Sequence, residues 1–429
     1  MKIKRDRYLN RLIDRMHNGM AKVVTGVRRC GKTYLLFDIF GEYLRSSGVL
    51  DSHIIELALD DEENARFRDP AALSHHLRSL VADKQSRYYV LLDEVQYAIS
   101  DEELRRADQP PRLYGVLNGL LRMRNVDVYV TGSNSKLLSA DVMTQFRGRG
   151  DEVHIRPLSF AEFMQGFQGD IYKGWAEYVL FGGMPLILSM RTDEQKASYL
   201  KSLFTETYIK DIVARNKLAK TQELEDLIDI LASNIGALSN PPKLEATFNS
   251  VLRSKISANT IATYIGYLED AFLVEAAQRY DVKGRKYIGS PKKYYFEDIG
   301  LRNARLSFRQ VEQTHIMENI VYNELRARGY SVDVGVVRKR GKQNGKDYQK
   351  SLEVDFVANQ GSIRYYLQSA YRLPDEEKAA QEKAPLREID DSFKKIILTD
   401  ETTKPVRDND GILTMSIYDF LLNEDSLTW

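Results

Sequence analysis

Eight consecutive residues, Gly26-Val27-Arg28-Arg29-Cys30-Gly31-Lys32-Thr33, set two glycines, a lysine and a threonine at the spacing G-x-x-x-x-G-K-[ST]. Such glycines let successive backbone N–H groups wrap an anion, and a helix starting at Tyr34-Leu35-Leu36-Phe37 would add its positive end. Lys32 would neutralise β- and γ-phosphates, while the Thr33 hydroxyl would ligate Mg²⁺. Gly26, Val27, Arg28, Arg29, Cys30, Gly31 and Tyr34 would complete the cradle.

A second pair of residues would finish that chemistry. The apolar run Tyr88 to Leu92 delivers Asp93 and Glu94 at its end. Asp93 would hold the Mg²⁺ shell, and Glu94 would orient and deprotonate an attacking water; a capped turn is the other reading of two acids there. Val128-Tyr129-Val130-Thr131 runs into Gly132-Ser133-Asn134-Ser135, where Ser133 or Asn134 could sense a γ-phosphate or position the water, unless they simply form a turn. Phe146-Arg147-Gly148-Arg149-Gly150 lifts two arginines on glycines. Arg149, slightly ahead of Arg147, could be an arginine finger, acting in its own chain or from a neighbouring subunit, or a solvated turn residue. Arg28 and Arg29 could touch phosphate, pair with an acid across an interface, or face water. Cys30 reads as a small filler, and its alkylation is expected to block nucleotide binding by intrusion into the loop.

Elements must position these residues. Val23-Val24-Thr25, Ile54 to Leu57, Tyr88 to Leu92 and Val126 to Thr131 are short apolar runs alternating with amphipathic stretches, which predicts a parallel sheet with helical crossovers. Each ends in a polar or glycine-bearing loop, the place where open α/β sheets hold ligands. From Pro157 to about Lys220 the text turns helical and aromatic, broken by Phe181-Gly182-Gly183-Met184-Pro185, and reads as a helical lid. Three helical stretches between Glu223 and Glu297 precede two strand-like runs. Ser257 would cap the third helix, and Ile261, Ile265 and Leu268 would form its buried face. A hairpin around Lys283-Gly284-Arg285-Lys286 then predicts a winged helix-turn-helix. The tail reads as a small α/β domain with strands near Val332 to Val337, Leu352 to Ala358 and Arg364 to Ser369, and Arg338 to Lys350 as a flexible loop. The expected domains are 1–156, 157–222, 223–300 and 301–429.

Composition narrows the class. The 429 residues hold 62 Lys+Arg against 61 Asp+Glu, so a wholly basic nucleic-acid coat is excluded and any binding surface is local. One cysteine forms no internal disulfide and fits a reducing compartment. No apolar run approaches the ~20 residues that span a bilayer, and no apolar segment follows the basic N-terminus, so a cytoplasmic chain without membrane contact is expected.

Taken together, Val24 to Thr33, Leu91-Leu92-Asp93-Glu94-Val95-Gln96, Thr131-Gly132-Ser133-Asn134, Gly148-Arg149 and Arg156-Pro157-Leu158-Ser159-Phe160-Ala161-Glu162-Phe163 resemble bacterial and archaeal AAA+ ATPases with a C-terminal domain of unknown function. The resemblance continues through Gly182-Gly183-Met184-Pro185, Glu318-Asn319-Ile320-Val321, Glu353-Val354-Asp355-Phe356 and Tyr365-Tyr366-Leu367-Gln368. It implies a module that binds and hydrolyses ATP with Mg²⁺, completes its site in a homo-oligomer, and carries a winged helix and a restriction-endonuclease-like tail. Nucleases of that tail type place an acid on a helix, an Asp on a strand, and Glu/Gln-x-Lys on the next strand. Glu318 and Asp355, with Glu353 nearby, fit the first two positions; Gln368-Ser369-Ala370 fits the third except that Ala370 replaces the lysine, so cleavage is not expected.

Two basic surfaces point to DNA or, alternatively, to a protein partner. Asn259, Thr260 and Thr263 would face outward from the recognition helix, and Arg279, Lys283, Arg285, Lys286, Lys292 and Lys293 would line the wing. Arg338, Lys339, Arg340, Lys342, Lys346 and Lys350 would form the second patch.

Overall fold

The computed structural model describes residues 2–81, 83–100, 102–103, 109–132, 149–218, 221–343 and 346–429. They form two compact units, Met1–Pro157 with Asp270–Phe272, and Leu158–Glu269 with Leu273–Trp429. The long stretch of the first unit ends at Pro157, beside the limit expected at 156.

The first unit is built on five strands, β1 (Ala21–Thr25), β2 (Ile54–Ala58), β3 (Tyr88–Asp93), β4 (Val126–Thr131) and β5 (Gly150–His154). They lie in the order β2-β3-β4-β1-β5, every pair parallel. β1, β3 and β4 are buried along their whole length, the pattern of strands covered on both faces. Two polar residues interrupt that apolar text. Lys22 on β1 and Asp127 on β4 form an ion pair within the interior, and Asp127 also accepts from Tyr129 Oη at 2.9 Å and from His17 N at 3.0 Å. β5, too short and polar to read as a strand in the sequence, is an edge strand paired to β1 over its five residues.

The second unit contains an eight-stranded sheet of β6 (Val274–Asp281), β7 (Lys286–Phe296), β8 (Ser331–Gln343), β9 (Lys346–Gln360), β10 (Ile363–Ser369), β11 (Lys394–Thr399), β12 (Val406–Arg407) and β13 (Ile412–Ser416). Their order is β12-β13-β11-β10-β9-β8-β6-β7. The three helices Thr221–Ser233, Pro241–Thr247 and Ala258–Asp270 precede the β6–β7 hairpin as expected, and Ser257 Oγ accepts from Thr260 N at 3.2 Å to cap the third. The hairpin, however, is not a free wing: β6 pairs in parallel with β8, Tyr280 opposite Gly335, so hairpin and tail share one sheet. A second correction concerns Arg338 to Lys350. Among the described residues β8 and β9 continue into that segment as an antiparallel ribbon paired from Arg338↔Ser351 to Gln343↔Lys346, since backbone pairing between strands needs no apolar side chains.

Close backbone approach accounts for Gly182-Gly183. A Cβ on Gly183 would lie 2.2 Å from Leu158 O, and one on Gly182 would lie 2.4 Å from Asp298 Oδ1. Asp298 caps the helix Ile299–Arg305 through Leu301 N at 2.9 Å and accepts from Gly183 N at 2.8 Å. The motif is a packing device. Beneath the second sheet the helix Gln313–Ala327 buries Ile316, Met317, Ile320, Val321 and Leu325, with Tyr322 stacked on Tyr295 at 4.3 Å between ring centres.

Candidate nucleotide site

Because β1, β3 and β4 are parallel, Gly26, Asp93 and Thr131 emerge together at the C-terminal end of the first sheet's strands. Gly26 takes φ +142° and Gly31 φ +98°, backbone states that L side chains rarely adopt. A Cβ on Gly26 would stand 2.2 Å from Ile155 O, so only glycine fits there. Arg29 also adopts a positive φ of 62°, and its side chain is exposed. Arg28 is half-buried. The helix after the loop is π-type over Tyr34–Phe40 before it becomes α-helical at Gly41–Ser46, a rare geometry met often at functional sites.

Lys32 is almost fully buried and folds back across the loop, its Nζ donating to Gly26 O at 3.1 Å and Val27 O at 3.0 Å. Thr33 Oγ1 donates to Asp93 Oδ2 at 2.6 Å. Thr131 Oγ1 donates to the other Asp93 oxygen and accepts from Glu94 N at 3.0 Å. Glu94 sits at φ 49°, ψ 51°, a strained left-handed turn, with its carboxylate hydrogen-bonded by the Gln96 amide. Burial pushes the Asp93 carboxyl up, and the hydrogen bonds from Thr131 and Thr33 pull it part of the way back.

The structure thus brings Gly26, Gly31, Lys32, Thr33, Asp93 and Glu94 together at the C-terminal end of the strands. Ser133, Asn134, Arg147 and Gly148 lie outside the described residues. Arg149 requires a correction: its carbonyl accepts from Ala21 N at 2.8 Å at the start of β1 and β5, the opposite end of the sheet from Gly26. Five residues of strand, about 16 Å, separate it from its own phosphate loop. From this position it does not reach its own chain's loop, which leaves a neighbouring subunit's site or a solvated turn. Cys30 packs as the small filler its position suggests. Its side chain is fully buried behind the loop, Sγ 3.7 Å from Ile155 O, so it packs the loop from beneath instead of facing phosphate. Tyr34 is half-buried, and its hydroxyl is buried without a hydrogen-bond partner among the described residues.

Two contributors escaped the sequence reading. Thr131 joins β4 to the acids of β3; a hydroxyl ending an apolar strand was its only signal. Arg5, 2 % exposed, donates to Cys30 O at 3.0 Å and Arg156 O at 2.7 Å, tying the loop to the chain beyond β5. Nothing local in the sequence marks it.

In the second unit the acids of the tail do converge, but around a lysine. Lys293 Nζ on β7 lies 2.8 Å from Glu318 Oε1, 2.8 Å from Glu353 Oε1 and 3.8 Å from Asp355 Oδ1. Tyr295 Oη donates to Glu318 Oε1 at 2.7 Å, and Ser369 N donates to Asp355 Oδ2 at 2.8 Å. Burial, then the charge of Glu318, pushes the Asp355 carboxyl up to about 7 against the pull of Lys293. Burial would push Glu318 up as well, yet Lys293, His315 and Tyr295 hold it below the ordinary range. Other cations of the expected basic surfaces are also paired: Arg338 with Asp281, Lys339 with Glu388, and Lys283 with Glu388 and Asp390. Arg285 and Lys286 remain exposed.

A parallel sheet with a glycine–lysine phosphate loop on one strand and an acid pair on another defines a P-loop nucleoside triphosphatase fold. Comparison places it more closely. A family described as "AAA domain" matches residues 18–164, and a "Domain of unknown function (DUF8612)" matches residues 172–312. The chain is 32% identical over 425 residues to an uncharacterized protein of Haemophilus influenzae, covering 98% of each. It is 28% identical over 406 residues to one of Methanocaldococcus jannaschii, covering 90% of this chain and 83% of that one. A Walker-type ATPase of Pyrococcus abyssi shares the fold at 14% identity and a TM-score of 0.50, over 71% of this chain and 96% of that one. The chain belongs to the family of bacterial and archaeal AAA-type P-loop ATPases with a C-terminal domain of unknown function. Among the described residues, no helix is long and apolar enough to cross a membrane.

Proposed function

We propose that the protein hydrolyses ATP with Mg²⁺ and that nucleotide state governs its grip on DNA through the helix Ala258–Asp270, the β6–β7 hairpin and the tail. The observation that carries the ATPase reading is Thr33 Oγ1 set 2.6 Å from Asp93 Oδ2, with Lys32 folded over the loop carbonyls. A hydroxyl and a carboxylate side by side are the oxygen donors Mg²⁺ prefers, so these residues fit the ion. When bound, Mg²⁺ would neutralise charge on the phosphate oxygens. Lys32 would exchange its two carbonyl acceptors for phosphate oxygens. Glu94 would orient a water and take its proton, with Ser133 or Asn134 near the γ-phosphate. Arg149 of a neighbouring subunit would supply the finger, which makes a homo-oligomer part of the proposal.

For the DNA half, Asn259 and Thr263 face solvent on the third helix, and Arg285 and Lys286 are exposed at the hairpin turn. The winged-helix and restriction-endonuclease-like descriptions of this unit rest on element order and on the Glu318, Asp355 and Gln368 positions. A second reading, an ATP-driven switch that grips a protein partner without DNA, is favoured by the ion pairs that neutralise Lys283, Arg338 and Lys339. The test is the ATPase rate of wild type, Lys32→Ala and Glu94→Gln, each with and without single- and double-stranded DNA at low salt. Loss of turnover in both variants and stimulation by DNA support the first reading. Turnover indifferent to DNA, with no binding at low salt, removes the DNA half; unchanged turnover in Glu94→Gln removes the assignment of the base.

A further inference from the structure

The tail retains acids at the positions where a restriction-endonuclease-like fold would hold a divalent cation, so their fit to that ion can be tested directly. Mg²⁺ demands near-octahedral oxygen ligands at about 2.0–2.1 Å and keeps several waters. The point on which Glu318, Glu353 and Asp355 converge is instead taken by Lys293 Nζ, whose side chain is 4 % exposed. Glu318 Oε1, already held by Lys293, also accepts from Tyr295 Oη, and the second Asp355 oxygen, Oδ2, accepts from the Ser369 amide. Gln368, the third expected ligand, spends its carboxamide on Asp355 N at 3.4 Å and on Glu382 Oε2 at 3.0 Å. Among the described residues, no group of three His, Cys, Asp or Glu is disposed to hold a metal ion. The donor set does not fit the ion.

We infer that the Lys293 ammonium replaces the divalent cation, so that the tail is a metal-free, non-cleaving module whose buried acids are neutralised from within. Ala370 stands where that fold type carries its lysine, and a different lysine, Lys293 on β7, sits among the acids. A buried carboxylate deprived of its partner is strongly disfavoured. The buried Glu318 and Asp355, with the partly exposed Glu353 beside them, should therefore recruit a divalent cation once stripped of the ammonium, which makes the replacement reversible by mutation. The inference concerns the second unit alone and stands or falls independently of ATP hydrolysis.

The experiment counts Mn²⁺ by its electron paramagnetic resonance signal on the full chain, without nucleotide, in an Asp93→Asn background so that the nucleotide site adds no ion. The parent should bind no Mn²⁺ at millimolar concentration. Adding Lys293→Ala should create one site per chain and make the melting midpoint rise by several degrees with Mn²⁺, and adding Glu318→Gln should abolish both gains. The inference is overturned if the parent binds one Mn²⁺ that Asp355→Asn removes, or if it cleaves single- or double-stranded DNA with Mg²⁺ in a way Asp355→Asn abolishes. A folded Lys293→Ala chain that takes no Mn²⁺ overturns it too. Should Lys293→Ala fail to fold, the parent's Mn²⁺ count and cleavage assay decide alone.

Discussion

Thr131→Val is the sharpest probe of the nucleotide site, because valine keeps the shape of threonine and deletes only the hydroxyl. That hydroxyl makes two bonds: it donates to the Asp93 carboxylate and accepts from Glu94 N at 3.0 Å. A hydrogen bond to a charged group contributes about 1.5–3 kcal/mol, and a backbone N–H left without a partner costs about 1–3 kcal/mol. Glu94 N is only partly buried, so water can replace part of the second term, and a loss of about 3 kcal/mol in the stability of the first unit is expected. The functional effect should exceed what destabilisation alone causes. Without Thr131, Glu94 loses the anchor that holds its left-handed turn. kcat should fall about 10- to 100-fold, equivalent to about 1.4–2.7 kcal/mol of barrier, while ATP affinity stays within about threefold because Lys32 and the loop are untouched. The sign of the pH effect follows from Asp93. Its carboxyl is already raised by burial, and Thr131 is the larger of the two hydrogen bonds lowering it, so the variant raises it further. Since the ionised form is needed to hold Mg²⁺, the acid limb of the rate profile should move to higher pH. Steady-state ATPase from pH 5 to 8, with fluorescent-nucleotide binding, measures all three. A kcat within twofold of wild type and an unmoved acid limb would refute the assigned role.

Glu94→Gln should bind ATP normally and turn over at least about 100-fold more slowly, read by single-turnover hydrolysis; equal rates would show that another group takes the proton. Cys30 should resist Ellman's reagent in the folded chain and react only in denaturant, since the thiol is fully buried behind the loop; rapid reaction in buffer would contradict that packing. Asp298, pushed up to about 6 by complete burial, supplies a pH signature. Between about pH 4 and pH 6 the folded protein keeps a proton that the unfolded chain has released, so stability falls as pH rises through that window, by up to about 3 kcal/mol. Asp298→Asn should flatten this part of the pH–stability curve in chemical denaturation, and an unchanged slope relative to wild type would assign the proton elsewhere.

How much of this was legible in the residues differs from element to element. The four strands of the first sheet read correctly because central parallel strands are continuous apolar runs, and β5 was missed because Gly-Asp-Glu-Val-His at a sheet edge has no such signature. Gly26, Lys32, Thr33, Asp93 and Glu94 carried their chemistry in local spacing, since a phosphate loop and an acid pair each lie within a few residues. Local spacing could not say which loop Arg149 faces: the strand that follows places it at the end of its own sheet opposite Gly26, so a finger there would act on a neighbouring subunit.

The sequence by itself determined the family, the phosphate-loop strand and the acid pair, because these are encoded in contiguous stretches whose backbone requirements only a few residue types satisfy. Only the tertiary structure decided that Thr131 joins the two acids, that Arg5 secures the loop from 25 residues away, and that Lys293 serves Glu318, Glu353 and Asp355 from a strand assigned to a wing. Those contacts bring together side chains far apart in the chain, and their partners are chosen by strand order and register. Neither quantity leaves a mark on any one segment. Lys293 shows the difference most plainly: in the sequence it was one cation among several on a basic surface, and in the fold it is 4 % exposed among three acids.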